Sequence, residues 1–361
     1  MDTAPLLRPL ALGELELANG ILMAPMTRNR ALAGDAPGPL AAAYYGQRAT
    51  AGLIVAEGTH PSPNGKGYAR TPGISTPAQA EGWRRVTQEV RARGGRIVLQ
   101  LMHCGRIGSH LNKDPGTRTV APSAIRATGH IFTDAAGLVQ FDTPEALALT
   151  EIPAVIAEYA AAARSARAAG FDGVELHAAS GYLPMQFLST GTNRRQDAYG
   201  ATLAGRLRFT VEVLEALAAA VGPKRVGLRI CPGNPFNDLH DERPVETYAA
   251  LLDAIGPLGI AYLHVIRSPE RTLDAFALAA RHFRGPRVLN DGFDFASGNA
   301  ALERGEAAAV SFARAFIANP DFVARCRAGW PLASFDRRTL YTPGAQGYTS
   351  YPPYLGGDAP T

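Results

Sequence analysis

Short apolar runs alternate with longer amphipathic or alanine-rich stretches along this chain. Residues 21–26, 53–57, 97–102, 174–177, 226–230, 262–265, 288–290 and 308–312 are rich in Val, Ile and Leu. Continuous apolar runs of this length predict strands buried on both faces, as parallel sheets require. Between them, residues 77–93, 152–169, 203–221, 245–255, 273–283 and 297–304 read as helices, often opened near Pro, Ser or Thr and closed by Gly. An eightfold β-then-α alternation predicts an α/β protein with a (β/α)8 TIM barrel. Two stretches break the rhythm. Residues 107–150, after the third strand, are too long for an ordinary loop and predict an excursion over the barrel mouth that shapes a pocket. Residues 330–361, dense in Pro, Gly and Tyr, predict an extended cap without a further helix.

Composition narrows the partners. At 361 residues the chain exceeds an ordinary domain, but α/β barrels run to this length as one unit, and no linker divides residues 1–361. The formal charge of +4 is modest and no basic run occurs, so no nucleic-acid partner is expected. The cysteines, Cys104, Cys231 and Cys326, lack CxxC spacing, which argues against a disulfide framework or a zinc site and for a reducing cytoplasm. No signal-like or membrane-length apolar segment appears, so neither secretion nor a membrane partner is expected.

Barrel chemistry sits at the C-terminal strand ends. In this chain those ends carry Pro25–Met26–Thr27, Glu57–Gly58–Thr59, Gln100 with His103, His177 with Ser180 and Tyr182, Arg229, His264, Asp291–Gly292 and Ala313–Arg314. The set is rich in donors and poor in carboxylates, which favours a bound anion or a carbonyl-rich cofactor over a metal. Arg229 lies inside the apolar run VGLRI, where a charge must be compensated. It is either a structural partner of a strand carboxylate such as Glu175 or a fixed positive charge beside an electron-accepting ring. Arg314, after the last strand, lies where barrels bind phosphate. Gln100 can meet a heterocycle edge or simply cap its strand, and His60 and His103 read as structural. His177, Ser180 and Tyr182 leave one strand end together and can hold a polarised oxygen and supply a proton.

Several motifs, in order, carry a family pattern: MAPMTRNRA at 23–31, AEGTHPSPNGKGYARTPGI at 56–74, LQLMHCGR at 99–106, GFDGVELHAASGYL from Gly170, VGLRICP at 226–232, FARAFIANPD at 312–321 and GAQGYTSYP at 344–352. Across nearly its whole length the chain resembles the old yellow enzymes, FMN-dependent ene-reductases. The resemblance implies a TIM barrel, non-covalent FMN, and NADPH or NADH as reductant of activated alkenes at a single site. It implies that Pro25, Met26, Thr27 and Gly58 meet the flavin edge, and that Gln100 and Arg229 hold its pyrimidine. Arg314, with backbone near Asp291, Gly292 and Ala313, is implied in phosphate binding. His177 and the residue at position 180 are implied in gripping the substrate oxygen, and Tyr182 in protonating the α-carbon. Tyr68, Met102 and Tyr348 are implied as substrate-cavity residues.

Three positions depart from the family pattern. Ser180 stands where asparagine or histidine is usual; in the phosphate region Asn290-Asp291-Gly292 and Ala313-Arg314 replace Ala-Gly-Gly and Gly-Arg; and Ala315 follows where proline is common. The expected activity is NAD(P)H-dependent reduction of α,β-unsaturated carbonyl or nitro compounds by a monomer or homodimer. A pathway-specialised isomerisation, desaturation or aromatisation is the second expectation. A barrel hydrolase, aldolase or non-catalytic scaffold without flavin is the third.

Overall fold

The computed structural model describes residues 4–356. Eight parallel strands close into a barrel in sequence order. They are β1 (Ile21–Met23), β2 (Leu53–Thr59), β3 (Ile97–Leu101), β4 (Gly173–Ala178), β5 (Val226–Ile230), β6 (Tyr262–Ile266), β7 (Arg287–Asn290) and β8 (Ala309–Phe312). The fold read from the alternation of apolar runs and helices is therefore the fold observed. Among the described residues, no helix is long and apolar enough to cross a membrane.

β1 is shorter than its apolar run, which extends to residue 26. Pro25 has no N–H to give to a ladder, so the backbone leaves the barrel there and becomes a loop. The helices at Pro77–Ala92, Ile152–Ala168 and Leu203–Val221 match their patterned stretches to within a residue or two. A capping box at Thr76, where the Thr76 hydroxyl accepts from Gln79 N and the Gln79 amide oxygen receives Thr76 N, fixes the start of the first. Four helices escaped the pattern: Pro39–Gln47, Leu183–Leu188, Arg314–Ala318 and Phe322–Ala328. An antiparallel hairpin, Leu10–Leu12 with Leu15–Leu17, precedes the barrel; its apolar residues cluster with Leu22, Leu53 and Val98.

Two additions cover the C-terminal mouth. Residues 107–150 contain an antiparallel hairpin, His130–Thr133 with Gly137–Gln140, in which Phe132 and Leu138 are exposed. The tail from residue 330 is extended apart from a 3-10 turn at Arg337–Thr339. Two buried arginines from the loop after β1 clamp it. Arg28 donates to Gly347 O at 2.7 Å, and Arg30 donates to the carbonyls of Thr339 (2.8 Å), Leu340 (3.0 Å), Gly344 (3.0 Å) and Gln346 (3.0 Å). Tyr348 is sandwiched in this clamp, stacked on Tyr44 at 4.1 Å with Arg30 4.6 Å from its ring centre. Charge-assisted bonds to these carbonyls, each worth ~1.5–3 kcal/mol with a charged partner, tie the tail to the loop that follows β1. Replacing Arg30 with Met removes the donor from several of those carbonyls. The expected result is a loss of about 2–4 kcal/mol in urea unfolding, with proteolysis beginning in the tail; a tail as resistant as in the parent would contradict the clamp.

Candidate active site

The inward-facing ends of the strands form one buried polar layer. Gln100 Nε2 donates to Glu175 Oε1 (2.8 Å), and Glu175 Oε2 meets His264 Nδ1 (2.8 Å). His264 Nε2 meets Ser311 Oγ (2.7 Å), while Asn290 Nδ2 donates to Ser311 O (2.9 Å). Arg229 Nη2 donates to Asn290 Oδ1 (2.7 Å), and its other arm lies against the His264 ring. The compensation of Arg229 is thus shared. Glu175 supplies the opposing charge through the layer, but its direct bonds go to His264 and Gln100. Burial opposes ionisation of Glu175, yet His264, Arg229 and Gln100 outweigh it and hold its pKa below the usual carboxylate range. Burial, reinforced by Arg229, pushes His264 down to about 4, so that ring is neutral.

Above this layer a cavity of about 950 Å³ opens at the barrel mouth. Gln100, Met102 and His177 come from strand ends, Tyr68 and Tyr182 from loops, and Ile131 and Phe132 from the inserted hairpin. It shares Pro25, Thr27, Arg337 and Tyr341 with an adjoining trough of about 460 Å³, which Met26, Ala313 and Arg314 also line. The loop at Pro25–Thr27 is held from behind by Glu57, whose Oε2 accepts Arg28 N at 3.1 Å. Burial raises the Glu57 carboxyl to about 7, although the Arg28 backbone bond favours its anion.

His177 and Tyr182 meet edge-to-face with ring centres 4.8 Å apart. The Ala179 amide donates to His177 Nδ1 at 3.3 Å, so the neutral ring carries its proton on Nε2 and has that N–H left to donate. Burial, then the Arg229 charge, lowers the His177 pKa to about 3. Tyr182 is the residue before the Leu183–Leu188 helix, and Gln186 of that helix grips the turn by donating to Gly181 O (2.7 Å) and Cys104 O (3.0 Å). Burial pushes the Tyr182 hydroxyl well above its usual pKa, and its proton is directed at Tyr68 Oη, 3.2 Å away. Such a site offers a neutral N–H donor and a protonated phenol to one ligand, the arrangement needed to polarise an oxygen and protonate a nearby carbon.

The expected site residues are mostly brought together. Pro25, Met26, Thr27, Ala313 and Arg314 line the trough, and Gln100, Met102, Tyr68, His177 and Tyr182 line the cavity. Gly58 is buried without lining either space. A Cβ there would lie 2.4 Å from Met102 Sδ, so glycine is what lets Met102 reach the cavity. Tyr348 is corrected: it is fully buried in the arginine clamp, and Tyr341 takes the cavity wall instead. Ser180 is also displaced from its expected place. It does not line the cavity, its φ is +55°, and its carbonyl receives Asn237 Nδ2 at 2.8 Å. The Asp291 carboxylate lies 3.8 Å from the exposed Arg314 guanidinium. Arg267, overlooked in the sequence, donates to Asp291 O at 3.3 Å and packs over Phe276, adding a second cation there.

The fold and this site define a barrel flavoenzyme. The chain matches the NADH:flavin oxidoreductase / NADH oxidase family over residues 5–333. It is 41% identical to a protein of Leishmania infantum named as a probable flavin mononucleotide-dependent alkene reductase, covering 96% of this chain and 97% of that one. It is 38% identical to 12-oxophytodienoate reductase 1 of Oryza sativa subsp. japonica, covering 96% and 93%. Among solved structures, morphinone reductase superposes with a TM-score of 0.93 at 42% identity, covering 99% of both chains. The old yellow enzyme of Trypanosoma cruzi gives 0.93 at 36%, covering 97% and 99%. The chain belongs to the old yellow enzyme family and is an FMN-dependent oxidoreductase.

Buried imidazoles set an acid limit on stability. His103 and His177 are held near 3 and His264 near 4, chiefly by burial, so all three are neutral when folded. The unfolded chain protonates them near 6.5, so it binds more protons and stability falls as pH drops from 6.5 toward 4. Buried Glu57, raised to about 7, works in the opposite sense over part of that window but is one group against three. Thermal melts should therefore fall steadily between pH 7 and 5; a melting temperature that rises on acidification would contradict these assignments.

Proposed function

We propose that this enzyme uses NAD(P)H to reduce a C=C bond conjugated to a carbonyl or nitro group, with His177 polarising the oxygen and Tyr182 protonating the α-carbon. The observation that carries this reading is the single cavity shared by the neutral His177 N–H and the buried Tyr182 hydroxyl. The trough and polar layer fit FMN: Thr27 and Gln100 face the joined spaces, Arg229 lies in the layer beneath, and Arg314 lines the trough's outer end. Held there in its reduced form, FMN would supply the hydride for the β-carbon. Thr27 and Gln100 would hold its ring edge, Arg229 would balance charge at its pyrimidine, and Arg314 with the Gly292 and Ala313 amides would take its phosphate.

The chain's own part is orientation and proton movement. His177 Nε2–H holds the activating oxygen and stabilises the enolate-like charge that grows there. Being neutral, it draws that oxygen's charge without surrendering a proton at ordinary pH. Tyr182 gives its hydroxyl proton to the α-carbon, and its raised pKa keeps that proton in place until a carbanion-like acceptor forms. Met102, Ile131 and Phe132 give the alkene apolar walls to pack against. The reductant occupies the same cavity in turn. The relatives named as an alkene reductase and a 12-oxophytodienoate reductase support the same chemistry.

Replacing Tyr182 with Phe should slow alkene reduction by about 10²–10⁴ and affect flavin reduction by NADPH far less, as read by stopped-flow absorbance. Equal loss in both half-reactions would remove Tyr182 as proton donor. Ser180→Asn tests the displaced position. Asparagine tolerates the left-handed backbone there better than serine, and its longer amide brings a second donor toward the cavity. Phenol binding should tighten about fivefold, one hydrogen bond of ~1 kcal/mol, and simple enone turnover should rise. Unchanged binding would mean that the oxygen is held by His177 alone, which favours the second reading, a pathway-specialised reaction on one larger intermediate.

A further inference from the structure

We propose that Tyr68 is the relay that returns a proton to Tyr182 after each turnover, and that Asn237 orients it. This rests on the reading of Tyr182 as proton donor. Donation breaks the Tyr182 O–H bond and forms a C–H bond, leaving a phenolate in a site that is 7% exposed. A buried phenolate is costly, and the enzyme cannot turn over again until it is reprotonated. Tyr68 Oη is the hydroxyl in hydrogen-bond reach, at 3.2 Å, with the two rings nearly perpendicular.

Hydrogen-bond directions favour the transfer. In the resting site Tyr182 donates to Tyr68, and Asn237 Nδ2 approaches the same oxygen at 3.4 Å. The orientation of that amide is set independently, because Nδ2 also donates to the Ser180 carbonyl at 2.8 Å. Both acceptor positions of the Tyr68 oxygen are therefore in use. Its own O–H has no acceptor among the described residues, and Tyr68 lines the solvent-connected cavity. Burial raises the pKa of both phenols, and whichever oxygen is ionised receives the shared proton's hydrogen bond, so the difference between them is the Asn237 N–H that only Tyr68 receives and that stabilises its anion. Proton passage from Tyr68 to the Tyr182 phenolate thus runs downhill. The Tyr68 O–H bond breaks as the Tyr182 O–H bond forms, and a cavity water or dissolved acid then reprotonates Tyr68. One solvent proton is consumed per alkene, and no further reactant is needed.

The test uses the flavin-loaded enzyme under saturating NADPH and a simple enone, with imidazole buffer raised at constant pH and ionic strength. In Tyr68→Phe the ring and its packing remain but the relay is cut. Turnover should fall about tenfold, within the range for a positioned proton-transfer group, and should climb back as buffer acid increases, whereas the parent should be indifferent to buffer. Asn237→Leu should give a smaller fall, with Tyr68 left in place. A Tyr68→Phe rate within twofold of the parent would overturn the relay, and so would a fall that buffer acid does not restore, since that marks a packing role. Full activity in Tyr182→Phe would instead overturn the donor reading on which the relay rests.

Discussion

A guanidinium inside a closed parallel barrel is the constraint around which the site is arranged. Arg229 cannot be left without compensation in that interior, since an isolated buried charge costs far more than any single packing contact returns. The chain meets this with a carboxylate on the neighbouring strand and a polar layer that carries its charge: Glu175 to His264 and Gln100, His264 to Ser311, Asn290 between Arg229 and β8. Every member presents hydrogen-bonding groups to the others, so the layer is rigid and its orientation determined. Gln100 Nε2 gives one N–H to Glu175, which leaves its second N–H and its carbonyl oxygen for a ligand.

The same layer explains the chemistry above it. Arg229 helps keep His177 neutral, and a neutral ring with Nδ1 already occupied has one N–H to offer. The turn after β4 then brings Tyr182 against that ring, pinned by Gln186 from the short helix that follows. Stability and reactivity are joined here. The burial that makes these imidazoles a liability in acid also makes one of them a donor that does not titrate under ordinary conditions. The tail and inserted hairpin, tied down through Arg28, Arg30 and the Arg70–Asp134 pair, supply the cavity walls and have no counterpart in the barrel rhythm.

Strands were legible because each is a short run rich in Val, Ile and Leu, and a parallel barrel buries both faces of its strands. The helix at Pro39–Gln47 was not, because its apolar residues surround it and leave no polar stripe to give a period. The site residues at strand ends followed from the barrel rule, and motif resemblance assigned most of their roles. What the motifs could not convey was depth. Tyr341 and Tyr348 sit in the same aromatic tail, and only the arginine clamp decides that Tyr348 goes inward and Tyr341 faces the cavity. Ser180 was read by its spacing from His177, but its short side chain does not line the cavity, and its left-handed backbone is a property no residue count reveals. Asn237 and Arg267 belong to other loops and are joined to the site by tertiary hydrogen bonds alone.

In the proposed site a flavin lies over the Arg229 layer with the neutral His177 N–H poised to hold an electron-rich oxygen above it. Absorbance titration of the FMN-loaded protein with phenol tests both parts at once. A phenolate seated on His177 against the flavin should give a broad long-wavelength charge-transfer band that saturates with phenol and is lost in His177→Ala. A flavin spectrum that phenol leaves unchanged, or a band that survives in His177→Ala, would contradict the account.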